Sequence, residues 1–496
     1  MTEVGTAGQR RGGRLIKIAM PAAALLATAA GLILSLLAPH FLPSSEYVEF
    51  SLLFGYGQLA ATLLFEWSRQ AGLRYAYGRD NDLADRRRRT LVVFYAVAVM
   101  VLATGGALIL CLPAASTPFK LGAIIALYAA AQGVFDARQA FARAAGDDSR
   151  FTVSLLSRAI LSLAMFAAVA LVTRDGILAT LALAGSYAAA TVVTSLRQPW
   201  GNPFGRIAPD QLKFLLAFGL TGAAASIVAI LAPNIVRSAA VVSVGKASVG
   251  GFLLALDLSQ KGLSAIGMVA SLILVQKLNR AVEFETHESF VAQGRIHISA
   301  AFGVLAPAFI GFVAVQEQMA AVLVPSTFRI EYLAWVMPLT LASFLICVRI
   351  YVVDPFFYAH GRSKLVLTGA LINIGVLGVT TLVATTAFKI NLVGVVGIYV
   401  ASAAAALVVS SVLLIRAIRP VWPLRDLAAI VAGCLVMMAV SLVPTESSLV
   451  GLALKTALCG GSYLMVLFLL DGCGLQTISR SLASSVLRRP LRPENR

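Results

Sequence analysis

Charge is scarce in this chain, and negative charge scarcest. Only 13% of its 496 residues are charged, with 23 Asp and Glu against 40 Lys and Arg. A soluble domain of ordinary composition carries about 25% charged residues, so a water-exposed globular fold is excluded. Histidine occurs four times, and the five cysteines (Cys111, Cys347, Cys434, Cys459 and Cys473) form no CxxC pair and have no histidine beside them. Neither a disulfide framework nor a Cys/His metal site follows from that spacing. There is no GxxxxGK[ST] phosphate loop, so nucleotide hydrolysis cannot be read here, and no cofactor is expected. Long polar connections are missing too. The longest, 197–213, 279–295 and the stretch after Asp471, leave no room for a separate extramembrane domain.

Apolar sequence fills the space instead. Hydrophobic residues make up 59% of the chain and the mean hydropathy is +0.86. Apolar runs of bilayer-crossing length recur about fourteen times, from 15–39 and 47–75 at one end to 427–443 and 449–470 at the other. A run of about 20 apolar residues crosses ~30 Å of hydrocarbon as a helix, because lipid offers the backbone no hydrogen-bond partner. The fold class expected is an all-α polytopic membrane protein. The seventh span is read as ending at Val236 and the eighth as starting at Val249, which places Arg237 in a connection.

About 27 of the 40 Lys and Arg fall in the amino-terminal tail, the even-numbered connections and the carboxyl-terminal tail. They are led by Arg10, Arg11 and Arg14, the four arginines at 86–89, and Arg488, Arg489, Arg492 and Arg496. About seven lie on the other side: Lys120, Arg174, Arg237, Lys246, Arg329, Lys389 and Lys455. Basic residues flanking a span resist translocation, so both termini are expected in the cytoplasm of a bacterial inner-membrane, multi-pass protein, with an uncleaved first span. This asymmetry, with attraction to anionic membrane lipids, accounts for the net charge of +17 without nucleic acid. The cluster Glu283, Glu285, His287 and Glu288 reads as an exposed amphipathic helix rather than a metal site.

The chain also resembles itself. EFSLLFGYGQ (49–58) and GFLLALDLSQ (251–260) open the second and eighth spans, and LLAP (36–39) and ILAP (230–233) precede them. GDDSR (146–150) and GRSK (361–364) follow the fourth and tenth spans. The common order and offsets near 200 residues predict two six-helix repeats around a central cavity plus two extra helices. The boundaries expected are 1–205, 206–420 and 421–496.

On these features, with YVEFSLLF (47–54), VGKASVGGFLLALDLSQK (244–261) and the glycine-rich 356–402, the chain resembles the polysaccharide-flippase (Wzx-type) branch of the multidrug/oligosaccharidyl-lipid/polysaccharide exporter superfamily. The resemblance implies two six-helix lobes alternating access to a central cationic cavity. Its cargo would be an undecaprenyl-diphosphate-linked glycan, moved for cell-surface or extracellular polysaccharide synthesis. A polysaccharide polymerase and a chain-length regulator are candidate partners. The protein is not expected to be an enzyme. The first span lacks Asp and Glu, unlike some cation-coupled drug exporters of the same superfamily, the main alternative. A membrane glycosyltransferase or polymerase would need paired carboxylates, which Asp210, Glu317 and Glu331 do not provide, and a non-transporting scaffold for envelope synthesis is a further alternative.

An ionised side chain at the centre of a span costs about 2.5–3.5 kcal/mol on insertion scales, so such residues face a cavity or a partner helix. The cations expected in a substrate cavity are Lys261, Arg158, Arg69, Arg74, Arg138 and Arg349. The carboxylates expected to couple or gate are Asp257, Asp354, Asp136 and Glu66. Other readings stay open: Glu66 with Arg69 and Asp257 with Lys261 as self-neutralising pairs, Arg69 and Arg74 as snorkelling to the interface, and Asp136 with Arg138 and Arg349 with Asp354 as a gate or a brace. Phe54, Tyr56 and Phe65, and Phe356, Phe357 and Tyr358, are expected at lipid-facing or interfacial belts rather than stacked on sugars.

Overall fold

The computed structural model describes residues 6–77, 81–113, 116–195, 207–284, 286–387, 390–474 and 476, with backbone alone for 6–21, 81, 221, 272, 273 and 284. The side chains of Arg10, Arg11, Arg14 and Lys17, the boundary at 205/206, Glu285, Lys389 and the basic tail with Arg488 to Arg496 lie outside the described residues.

Among the described residues every regular element is helical. The first half is α1 (Thr6–Phe41), α2 (Ser44–Tyr75), α3 (Asn81–Cys111), α4 (Thr117–Ala144), α5 (Asp148–Thr173) and α6 (Gly176–Ser195). The second half is α7 (Pro209–Val244), α8 (Gly250–Phe284), α9 (His287–Ala314), a short α10 (Gln316–Leu323), α11 (Ser326–Val348) running through a π-helical turn (Arg349–Val353) into α12 (Asp354–Ala359), α13 (Ser363–Ala387) and α14 (Leu392–Ala417). The pair α15 (Leu424–Ser441) and α16 (Leu449–Leu469) completes the fold. Among the described residues fourteen segments are long and apolar enough to cross a membrane, the number read from hydropathy.

Helix starts follow from capping residues in the short connections. Asp147, Thr286, Asn391 and Ser448 each accept a backbone N–H from three residues on, satisfying a donor that helix geometry leaves unpaired. The paired turns picked out by sequence are alike in detail. Gly146 and Gly361 sit at φ 71° and 67°. The next residue bonds five back in each, Asp147 N–H to Ala142 O at 2.9 Å and Arg362 N–H to Phe357 O at 2.8 Å. That is the Schellman closure of a helix, which needs a left-handed residue and so favours glycine.

Three readings are corrected. Helix α7 runs on to Val244 and buries Arg237, and α16 carries Lys455 buried in its second turn, so neither lies in a connection. Within the 279–295 stretch α8 ends at Phe284 and α9 begins at His287, so Glu283 and the pair His287 and Glu288 lie on two different helices rather than on one amphipathic helix. Phe65, Phe356 and Phe357 are in the protein core rather than in a lipid belt, while Tyr56 and Tyr358 are partly exposed.

Helices approach closely where glycine faces bulk, as in membrane bundles generally. A Cβ on Gly133 of α4 would come within 2.8 Å of Phe65 Cγ of α2, so the ring lies flat on the glycine. A Cβ on Gly219 of α7 would come to 3.0 Å of the Trp67 Cα, which lets α7 follow α2 along its length.

We call the face where α1 begins the N-terminal face. Toward the opposite face the two halves are sealed by one core cluster, with Tyr47, Val48 and Phe50 of α2 against Phe252 of α8 and Phe328 and Tyr332 of α11. The same face is fastened by carboxylates: Glu46 accepts from the Gly176 N–H at 3.0 Å and Glu331 from the Gly251 N–H at 2.9 Å.

Candidate functional site: a cationic cavity between the halves

The seal ends near mid-bundle. Below it, a cavity of about 470 Å³ extends toward the N-terminal face, lined by α1, α2, the end of α4, α5 and α6 on one side and by α8 and Tyr351 on the other. Ala24, Ala27 and Gly31 keep much of the α1 wall small, beside Thr28 and Leu34. Among the described residues three basic side chains line it, Lys261, Arg158 and Arg143, and no Asp or Glu does.

Lys261 stands at the inner end. Its Nζ donates to Ser35 Oγ of α1 at 2.6 Å and lies 5.1 Å from the centre of the Phe54 ring. Arg158 projects from α5 with its guanidinium 5.2 Å from the Tyr187 ring centre and 6.0 Å from that of Phe135. Arg143 is exposed at the N-terminal end of the space, 5.3 Å from the Phe151 ring. Among the described residues none of the three makes a salt bridge. Each rests on an aromatic face, an attraction that holds a cation while leaving its N–H groups to a ligand.

The other expected cavity cations go elsewhere. Arg69 is held by Glu66 through two bonds of 2.6 and 2.5 Å, the self-neutralising pair of the sequence reading, with Gln70 also donating to Glu66 at 2.7 Å. Arg74 is exposed at the end of α2, over the rings of Phe218 and Tyr75. Arg138 is buried and donates to Thr194 Oγ1 at 3.1 Å and Thr194 O at 2.5 Å, fastening α4 to α6. Arg349 is buried in the second half, 3.9 Å from Asp354, with its Nε and Nη1 lacking hydrogen bonds. The comparison of Asp136–Arg138 with Arg349–Asp354 therefore fails in the first half. Residues two apart on a helix point to different sides, and Asp136 accepts from Gln132 at 3.3 Å instead. None of Asp257, Asp354, Asp136 and Glu66 lines the cavity.

Asp257 and Lys261 do not pair either. Asp257 is ion-paired with Arg237 of α7, whose Nη1 also donates to Asn234 Oδ1 at 3.3 Å. Sequence reasoning missed Arg237 because the helix end was placed one residue before it. It missed Arg143 because an arginine at the end of an apolar span is indistinguishable from an orientation signal.

No protein-family model matches the chain, and no curated protein does. Solved structures do match. One described as lipid II flippase MurJ in an inward closed conformation superposes with a TM-score of 0.70 at 12% identity, over 92% of this chain and 98% of that one. An inward-facing multidrug resistance MATE family transporter of the MOP superfamily follows at 0.56 and 16%, over 81% of this chain and 98% of that one. A eukaryotic MATE transporter gives 0.50 and 15%, over 81% and 94%. The chain thus has the fold shared by the MurJ flippase and the MATE transporters of the MOP superfamily.

Proposed function

We propose that the protein is a transporter that flips an undecaprenyl-diphosphate-linked oligosaccharide across the bacterial inner membrane for polysaccharide synthesis. The observation that carries this reading is the composition of the cavity: among the described residues it is lined by Arg143, Arg158 and Lys261 and by no carboxylate. A diphosphate cannot enter hydrocarbon unaided, and fixed cations lining a cavity between helices replace the hydration it gives up. Guanidinium suits this best, since its planar fork matches phosphate oxygens. Aromatic Phe54, Phe151, Tyr187 and Tyr351 add apolar faces for sugar rings. The fold likeness to a lipid II flippase agrees with such a cargo. A cation-coupled drug exporter shares the fold, but an all-basic cavity repels a cationic drug.

With the core seal toward the far face, substrate would enter from the N-terminal face, which the distribution of basic residues makes cytoplasmic. The test is reconstitution. In liposomes the purified protein should translocate a fluorescent undecaprenyl-diphosphate glycan without ATP. Gradient-driven efflux of a cationic dye, with no movement of the glycan, would reverse the assignment.

A further inference from the structure

Asp257 and Lys261 stand four residues apart on α8, the spacing at which a carboxylate attracts a following ammonium on one helix face. Were they paired, the innermost cation of the cavity would be neutralised from within its own helix. An entering anion would then have to displace a carboxylate. The structure avoids this through α7. Arg237 takes Asp257, with the two side chains 7% and 6% exposed, and Lys261 is left with the neutral hydroxyl of Ser35.

Arg237 is itself held in register. Its partner Asn234 donates to Gly55 O of α2 at 3.3 Å, and a Cβ on Gly55 would come to 2.9 Å of Arg237 Nη1, so glycine makes room for the guanidinium. The remaining neighbours of the pair are neutral hydroxyls, Tyr47 and Ser51 from α2, with Tyr399 of α14 close to Arg237. Lys261 is the other charge near Asp257.

We infer that Arg237 is a positioning residue for anion binding: by holding Asp257, it keeps the Lys261 ammonium free for the diphosphate. This rests on the cavity reading above, in which Lys261 touches the cargo. A hydroxyl is displaced readily because a charge-assisted contact to phosphate is stronger than one to a neutral oxygen. Ligand binding then also breaks the Lys261–Ser35 bond between α8 and α1, that is, between the two halves.

The test is binding of undecaprenyl diphosphate to the purified full-length protein in detergent, across a set of variants. Arg237→Gln should weaken binding about tenfold, a coupling typical of charges in contact. Adding Asp257→Asn should restore wild-type affinity, because the competing carboxylate is gone. In a Lys261→Met background Arg237→Gln should have no further effect, which a purely structural role would not predict. A loss that persists beside Asp257→Asn, or that is equally large without Lys261, overturns the inference. If Arg237→Gln alone does not fold, the Arg237→Gln/Asp257→Asn variant leaves no unpaired buried charge and carries the test: weakened binding there counts against the inference. Wild-type affinity in Lys261→Met would instead remove the cavity reading. Weakened Lys261→Met beside unaffected Arg237→Gln would remove only the role of Arg237.

Discussion

The guanidinium of Arg158 on α5 lies 5.2 Å from the ring centre of Tyr187 on α6. An arginine deep in a span normally finds a carboxylate; this one rests on a ring and faces a cavity, so its charge is held in place without being cancelled. Arg158→Ala should abolish export of the surface glycan while the protein accumulates normally in the membrane. Tyr187→Phe should be mild. Tyr187→Leu removes an attraction of about 0.5–2 kcal/mol, a two- to thirtyfold weaker capture of diphosphate ligand in a binding assay. Arg158→Lys should cost more than Lys261→Arg, since lysine cannot reproduce a two-pronged contact. Normal glycan output from both Arg158→Ala and Lys261→Ala would contradict the cationic cavity.

Arg138 should behave in the opposite way. Its bonds to Thr194 join α4 to α6 inside the first half, away from the cavity lining. Arg138→Met should lower stability by about 1.5–3 kcal/mol, the range for bonds to charged groups. Thermal unfolding in detergent reads this directly. Arg158→Gln should leave Tm near the wild-type value, and an equal drop in both variants would make Arg158 a packing residue.

Orientation has its own test. A reporter active only outside the cytoplasm should give signal when fused after Ser45, Pro118 or Gly176, and none after Arg87, Asp148 or Arg206. Reversal at any of these sites breaks the alternation for everything downstream.

At the turn between α4 and α5, burial pushes the Asp147 carboxyl up, but the backbone N–H of Arg150, the Ser149 hydroxyl and the Arg150 charge outweigh it and hold the group below its ordinary value. A lowered carboxylate stabilises the fold above its unfolded value, about 3.9, and that contribution fades as pH falls through the lowered one. Asp147→Ala should therefore cost about 1 kcal/mol near neutral pH by loss of the helix cap. The Tm difference from wild type should shrink below about pH 4. A difference independent of pH would mean that the cap does not act through its charge.

Span number, the repeat and the paired glycine turns were legible in the sequence because each is set locally: hydrocarbon forces an apolar helix of fixed length, and a left-handed turn asks for glycine. That Lys261 and Arg158 lie several turns inside their helices was legible for the same reason, since span boundaries are set by the apolar run itself. Which side of its helix a charge faces, and what lies opposite, is not local. Arg138, Arg349 and Arg158 all read as candidate cavity cations in spans, the first two with a carboxylate nearby in sequence, yet Thr194 and Asp354 hold those two and of the three Arg158 faces the cavity. Asp257 had a ready partner at the right spacing on its own helix and was taken by Arg237 from another. Hydropathy and spacing describe one helix at a time; the pairing of charges depends on how helices rotate and cross, which only the packed bundle decides, through contacts such as Gly219 on Trp67 and Gly133 on Phe65.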